Sequence, residues 1–323
     1  MKKLLFIFNP TAGKSRVKTK LVEILDIFVK AGYMPTAYPT QCREDAKNII
    51  IKYANEYDRI VCCGGDGTLN EVVTAMPELQ EKVPIGYIPA GSTNDYAKSL
   101  GIPTEMLQAA KMAVEGPIFK TDIGQFNDTK FVYVAAFGLF TDVSYQTSQE
   151  LKNVFGHAAY VFEGVKSLMS IPEYHLVIDI DGRIIEDDFM YGMVSNTVSV
   201  GGFKNMTNQE VILDDGYFEA LFVKKPNNPI QLHEVMQSLL RDGVRSEFVC
   251  DYKAKCVKIN STEPIAWTLD GEYGGEHSSV VIKNRANLIS LVADTGTMDL
   301  SSSNHLKIAM SKYEDKNDSQ NDK

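Results

Sequence analysis

The chain has no positive excess, no long apolar run and no cysteine pairs at motif spacing, and each lack excludes a class of protein. A formal net charge of -9 argues against nucleic acid as the main partner, because such binding needs a basic field. A membrane surface would have to be met through a local basic patch. No stretch reaches the roughly 18 consecutive apolar residues of a membrane helix. The apolar start, Leu4 to Phe8, is cut by Asn9-Pro10, short of a signal h-region and without a cleavage-like site. The five cysteines, at 42, 62, 63, 250 and 256, are odd in number, lack CxxC spacing and include an adjacent pair. They read as reduced, mostly buried thiols of a cytoplasmic protein, not as disulfides or a zinc site. The five histidines form no ligand spacing, there is no internal repeat, and Trp267 is the single tryptophan.

What is present is ordinary for a folded soluble chain: 323 residues, 44% hydrophobic and 23% charged, enough for two domains. The first 120 or so residues alternate strand and helix patterns. Leu4–Phe8, Met34–Thr40, Ile60–Cys63 and 84–90 read as strands. The faces Val17-Leu21-Ile24-Leu25-Phe28 and Ala46-Ile49-Ile50-Tyr53, the run Leu69 to Met76, and a segment from Asp95 read as helices. Repeated β-turn-α units predict a parallel sheet with ligands at the carboxyl ends of its strands, where the loops after strands one, three and four should converge. From about Asp122 strand patterns dominate, with Asp181-Gly182 as a hairpin turn. Further strands are expected at 189–198, 211–223, 246–250, 255–260, 265–269, 278–283 and 287–292, interrupted by helices near 150–169 and 229–240. This half reads as a mostly antiparallel, sandwich-like β domain. The polar tail 311–323 is too poor in apolar residues to order.

The richest segment is Cys63-Gly64-Gly65-Asp66-Gly67-Thr68-Leu69-Asn70-Glu71. Glycines between a strand and a helix let backbone N–H groups approach an anion, and the helix N-terminus adds a favourable dipole. Thr68 reads as the N-cap. Asp66 would repel a phosphate unless a divalent cation stood between them, so the corner predicts a metal–nucleotide site. Gly91-Ser92-Thr93-Asn94-Asp95 repeats this logic with short donors and caps. Asn9-Pro10-Thr11-Ala12-Gly13-Lys14 is a small-residue loop without Walker A spacing. Lys14, Arg16, Lys18 and Lys20 serve equally as a solvated helix start or as a phosphate or anionic-membrane contact. Asp214-Asp215-Gly216 is a hairpin turn or a seat for a hard cation. Leu269-Asp270-Gly271-Glu272 is a β-turn or the source of a carboxylate base for a hydroxyl nucleophile.

GGDGTLNE at 64–71, AGSTNDYAKSLGIP at 90–103, NPTAGK at 9–14 and LDGE at 269–272 together resemble the diacylglycerol kinase catalytic-domain family, in order over about 290 residues. That family includes soluble bacterial diacylglycerol kinases and sphingosine kinases. The resemblance implies an α/β, NAD-kinase-like nucleotide domain at 1–122, a β-rich lipid domain at 123–293, and a segment near 294–310 packing back on the first. It implies ATP and Mg2+ as cofactors and phosphorylation of a lipid hydroxyl, diacylglycerol first, by a cytoplasmic enzyme peripherally associated with membrane. A homodimer is the assembly it favours. Nucleotide contacts fall on Asn9, Pro10, Thr11, Ala12, Gly13 and Thr40, on Gly64, Gly65, Asp66, Gly67, Thr68, Leu69, Asn70 and Glu71, and on Ser92, Thr93 and Asn94. Asp66 would reach the catalytic magnesium, with Asp95 and Asp122 in one acidic network, and Glu272 is the implied base. A structural magnesium falls on Asp215 with the carbonyls of Ile212 and Tyr217. The family's usual Pro-x-Ala approach to that turn is replaced here by Asn208-Gln209-Glu210-Val211.

Other readings are a kinase for a sphingoid base or monoacylglycerol, an NAD kinase, and a non-catalytic nucleotide or lipid sensor. An SAGGP-like segment of NAD kinases and a TxDxD-type loop of phosphofructokinases are both lacking. A sensor should have lost an acidic residue at 66 or 272, and both are present.

Overall fold

A computed structural model of the chain describes residues 1–79, 82–92, 94–138, 172–200, 203–204, 207, 211–240 and 244–294. The expected helix at 150–169, the 294–310 segment beyond Asp294, and the tail lie outside these residues.

The first region alternates β1 (Lys2–Phe8), α1 (Ala12–Lys30), β2 (Tyr33–Pro39), α2 (Asp45–Tyr53), β3 (Arg59–Gly64), α3 (Asp66–Ala75), β4 (Ile85–Pro89), α4 (Asp95–Ser99) and α5 (Met106–Glu115). β1 pairs in parallel with β2 and β3, and β3 in parallel with β4. β3 and β4 are buried along their whole length, which is why their sequences are unbroken apolar runs and do not alternate. α3 begins at Asp66 with Gly65 as its N-cap, so Thr68 lies inside the first turn and is not the cap. α5, with no element assigned to it above, buries Met106, Ala109, Ala110, Ala113 and Val114 on one face.

The second region contains β5 (Ile118–Phe126), β6 (Thr129–Phe131), β7 (Val134–Gly138), β8 (Tyr174–Ile180), β9 (Arg183–Ser195), the two-residue pair β10 (Ser199–Val200) and β11 (Phe203–Lys204), β12 (Phe218–Lys224), α6 (Pro229–Leu240), β13 (Val249–Ala254), β14 (Cys256–Leu269) and β15 (Glu272–Val292). Its strands pair antiparallel with one another. Both residues of the Asp181-Gly182 turn have positive φ, 48° and 94°, as the tightest hairpin turn requires. Asp270 and Gly271, at 51° and 85°, make the same turn between β14 and β15. A core of Phe126, Phe131, Phe137, Phe189, Phe218, Phe222 and Trp267 fills this region; Trp267 lies 4.9 Å from Phe137 and 5.0 Å from Phe126 between ring centroids.

Several expected strand boundaries move. The expected strands 255–260 and 265–269 are one strand, β14, interrupted by an irregularity between Asn260 and Ile265. Likewise 278–283 and 287–292 both lie in β15, which breaks register between Arg285 and Ile289. Residues 212–217 form a turn, and the strand expected at 211–223 starts at Phe218. β15 is also the seam of the fold. It starts antiparallel to β14 and ends, at Leu291 and Val292, in parallel with β4. Its first residue, Glu272, is thereby fixed by the same strand that closes the first sheet.

Candidate active site between the two regions

The loops that leave β1, β3 and β4 meet at the edge of the first sheet. Asn9 N–H donates to the Cys63 carbonyl at 2.9 Å, and Ala90 N–H to the Gly64 carbonyl at 2.7 Å. Asn9 Oδ1 accepts from Thr11 N–H and Thr11 Oγ1 at 2.9 and 2.8 Å, folding the 9–13 loop on itself. Gly13, with φ +55°, lies so close to the 90–94 loop that a Cβ would stand 2.3 Å from the Ala90 carbonyl oxygen. A Cβ on Gly64 would stand 2.4 Å from Thr68 Oγ1, and one on Gly65 3.3 Å from Gly91 Cα. These glycines are demanded by close approach. Thr40 extends the pairing, its N–H donating to the Phe8 carbonyl at 2.9 Å. Asn94, at φ 50°, ties the 91–94 turn closed through Gly91 N–H and the Gly91 carbonyl, at 2.8 and 2.9 Å. Ser92 is exposed on this turn, and Thr93 lies outside the described residues.

Two members of the 64–71 segment turn away from the corner. Glu71 accepts from Glu44 N–H and Ala46 N–H at 2.9 and 3.2 Å, so its carboxylate caps α2. Asn70 Nδ2 donates to Asp270 Oδ2. Leu69 is buried in the core.

Asp66 opens α3, where its charge suits the helix dipole. Its Oδ2 accepts from Asp95 N–H at 3.3 Å, while its Oδ1 is buried with no hydrogen-bond partner. Burial first, and the neighbouring Asp95 carboxylate second, push its pKa up. Asp95, only 3% exposed, is held by Ser199 Oγ at 2.8 Å and Lys98 Nζ at 3.0 Å. A buried carboxylate oxygen without a protein donor is open to a cation or an ordered water, and with Asp95 beside it this pair fits a divalent metal.

Glu272 faces this corner from β15: a Cβ on Gly67 would lie 3.8 Å from Glu272 Oε1. The side chain is half exposed and paired with Arg43 Nη2 at 2.6 Å. Asp270, which the sequence reading did not single out, fixes the turn. Fully buried, it accepts from Val132, Tyr133 and Val134 N–H at 2.6, 2.9 and 3.0 Å as well as from Asn70. Burial raises its pKa from 3.8 to about 6, against the pull of those donors. The available signal was its place beside the expected base in a tight turn.

Asp122 corrects the expected acidic network. Its hydrogen bonds run to the 212–217 turn and to β15, through Gly216 N–H at 2.7 Å, Asn287 N–H at 2.7 Å and Asn284 Nδ2 at 3.1 Å. In the same turn Asp215 accepts from Tyr217 N–H at 2.9 Å and pairs with Lys253 Nζ at 3.0 Å. The Tyr217 carbonyl accepts from Asn284 Nδ2 at 3.1 Å, and Ile212 is exposed. A lysine ammonium thus stands where a structural cation was expected. Among the described residues no group of three or more His, Cys, Asp or Glu side chains gathers at metal-ligand distance.

Comparison with known proteins matches this layout. Residues 3–126 match the family described as "Diacylglycerol kinase catalytic domain", and 135–292 the "YegS C-terminal NAD kinase beta sandwich-like domain". The diacylglycerol kinase of Bacillus subtilis (strain 168) is 36% identical over 277 residues, which are 85% of this chain and 91% of the relative. That of Staphylococcus carnosus (strain TM300) is 37% identical over 277 residues, 85% and 90% of the two chains. A crystal structure described as a diacylglycerol kinase from Bacillus anthracis str. Sterne superimposes with a TM-score of 0.72 at 22% identity, covering 91% of this chain and 97% of that one. At that identity the likeness speaks for the fold alone. Family and cleft place the chain in the class of ATP-dependent lipid kinases. It belongs to the diacylglycerol kinase catalytic-domain family.

Proposed function

We propose that the enzyme transfers the terminal phosphate of ATP to the free hydroxyl of diacylglycerol, giving phosphatidic acid, with Glu272 as general base. The observation that carries this reading is the opposition across the cleft: the first turn of α3 on one side and Glu272 on the other, its Oε1 3.8 Å from where a Cβ on Gly67 would stand. Backbone N–H groups at the first turn of α3 meet the phosphates, the 9–13 and 91–94 loops wall the cradle, and the α3 dipole favours the phosphate charge. Thr40 completes the edge of the nucleotide site. Glu272 takes the hydroxyl proton as the lipid oxygen attacks the terminal phosphorus; the bond to the bridging oxygen breaks and ADP leaves. Asp66, with Asp95 behind it, is the residue to hold magnesium, which when bound neutralises phosphate charge. A second magnesium at Ile212, Asp215 and Tyr217 would compete there with Lys253.

No helix among the described residues is long and apolar enough to cross a membrane. We read the encounter with lipid as peripheral and on the cytoplasmic face, through the start of α1, where Arg16 and Lys18 are exposed. A radiolabelled-ATP transfer assay against diacylglycerol, monoacylglycerol, a sphingoid base and NAD tests the reading. Label should enter diacylglycerol fastest. A sphingoid base as best acceptor would move the substrate and keep the chemistry, and label in NAD alone would overturn the lipid assignment.

A further inference from the structure

Arg43 lies outside every motif considered above, yet it touches the expected base. It projects from the loop between β2 and α2, and its Nη2 lies 2.6 Å from Glu272 Oε2 across the cleft. The two side chains are 75% and 50% exposed, and an ion pair in that setting contributes on the order of 0–1 kcal/mol. Stability therefore gives no reason for the contact. The loop that presents Arg43 is held rigidly, however. Gln41 N–H donates to Asp45 Oδ2 at 2.8 Å, Tyr38 OH donates to Asp45 at 3.2 Å, and Glu71, from the α3 turn itself, accepts from Glu44 and Ala46 N–H. Glu44 adopts φ 63° to make this bend. A strained, braced loop thus holds a largely exposed guanidinium against Glu272, whose other oxygen faces the first turn of α3, where a terminal phosphate would arrive.

We propose that Arg43 is a phosphate clamp that exchanges partners: in this structure it holds Glu272, and on arrival of a nucleoside triphosphate it releases that carboxylate for the terminal phosphate. The planar guanidinium fork matches phosphate oxygens bidentately, and charge-assisted bonds to a more highly charged, partly desolvated phosphate outcompete one to a half-exposed carboxylate. The exchange has two effects. It counters charge on the transferring group in a cleft already lined by Asp66, Asp95 and Glu272. It also leaves both Glu272 oxygens open to the acceptor hydroxyl only once the phosphoryl donor is present. Nucleotide arrival thereby arms the base.

This inference rests on the lipid-kinase reading, and the test separates the two. Full-length parent, Arg43→Gln and Arg43→Lys are titrated with MgATP and MgADP by calorimetry and assayed for lipid phosphorylation. Loss of a charged contact to the terminal phosphate should weaken MgATP binding about tenfold or more in Arg43→Gln, and leave MgADP nearly unchanged. Arg43→Lys should recover part of the difference. An ATP-to-ADP affinity ratio equal to the parent's in Arg43→Gln would overturn the clamp. So would a clear loss of thermal stability in both variants, which would make the pair structural. A parent that binds ATP but labels no lipid sinks the lipid reading alone, and the clamp is then judged on the nucleotide ratio; a parent that binds neither nucleotide sinks both.

Discussion

The chain carries two acidic corners built in opposite ways. In the Asp66–Asp95 corner one buried carboxylate oxygen, Asp66 Oδ1, has no donor, and burial plus a like charge raise the carboxyl pKa. Around the 212–217 turn, by contrast, Asp122 accepts from Gly216, Asn284 and Asn287, and Asp215 from Tyr217 and Lys253. One corner leaves an oxygen of Asp66 without a donor; in the other the protein's own donors meet Asp122 and Asp215, and the buried Glu219 beside them is the acid left without one. Counting carboxylates in the sequence cannot tell them apart, because the difference lies in which N–H groups the fold delivers. A buried acid without a donor holds unspent interaction energy for a ligand, whereas one bonded to three donors has spent it on the fold.

The largest expected effect breaks this comparison most directly. Asp66→Asn should lower turnover by roughly 10²-fold or more and change its magnesium dependence, as loss of a group acting on the reacting phosphate does. Its stability should hold or rise, since the replacement removes a buried like-charge repulsion. Asp122→Asn should do the reverse, costing about 2–4 kcal/mol of unfolding free energy through its buried donors. Glu272→Gln is a control on the chemical step alone, with turnover falling ~10²–10⁴-fold at near-parental ATP affinity. If Asp66→Asn and Asp122→Asn change stability and magnesium dependence alike, the distinction between the corners fails. Steady-state kinetics over a magnesium series and denaturant unfolding are the measurements.

Asp270 sharpens the contrast, because it is satisfied and yet pushed up in pKa. Its carboxyl moves from 3.8 to about 6 on folding, chiefly by burial. The folded state therefore keeps a proton that the unfolded state has released between these values. The stability Asp270 contributes is fully present below pH 3.8 and is lost as pH rises through about 6, by on the order of 3 kcal/mol. Asp270→Asn cannot titrate. Its stability should be lower overall, since an amide meets backbone N–H donors, but the difference from the parent should narrow by that amount between pH 4 and pH 7. Urea unfolding of both proteins across this range measures it, and a constant difference would show that Asp270 stays ionised in the fold.

Much of this was legible in the residues. Continuous apolar runs announced β1, β3 and β4, and Gly64-Gly65-Asp66-Gly67 announced a corner where Gly64 and Gly65 are crowded by Thr68 and Gly91, although Gly67 has room for a Cβ. The Asp181-Gly182 hairpin followed from turn chemistry alone. What escaped depended on distant partners. Glu71 looks like part of the phosphate loop, yet its carboxylate goes to α2, 25 or more residues away in sequence. Asp122 was placed beside Asp66 and Asp95 by the family resemblance, and from β5 its side chain bonds to the other corner. β14 and β15 read as broken strands because their irregularities place polar residues where alternation would call for apolar ones. The helix α5 went unassigned although Met106, Ala109, Ala110, Ala113 and Val114 share helical spacing, because its alanines give a faint apolar signal.

The smallest expected effect concerns Lys253, the residue that makes the second corner self-sufficient. Its ammonium lies 3.0 Å from Asp215 Oδ2 and 3.9 Å from Glu219 Oε1. Glu219 is fully buried with neither carboxylate oxygen hydrogen-bonded, and burial lifts its pKa to about 8 despite the lysine. Lys253→Met keeps the length of the stem and removes the charge. Asp215 is then left beside the carbonyls of Ile212 and Tyr217, hard oxygen donors of the kind magnesium takes, while the Glu219 carboxyl, lifted by burial, stays largely protonated. Without magnesium the variant should lose roughly 1–2 kcal/mol, the scale of a partly exposed ion pair with one buried partner. Added magnesium should return part of that loss, raising the melting temperature more than in the parent, because binding to the folded state alone stabilises it. A variant that melts with the parent's own magnesium response would mean that Lys253 does not occupy a cation's place, and that the two corners differ in their donors but not in their appetite for metal.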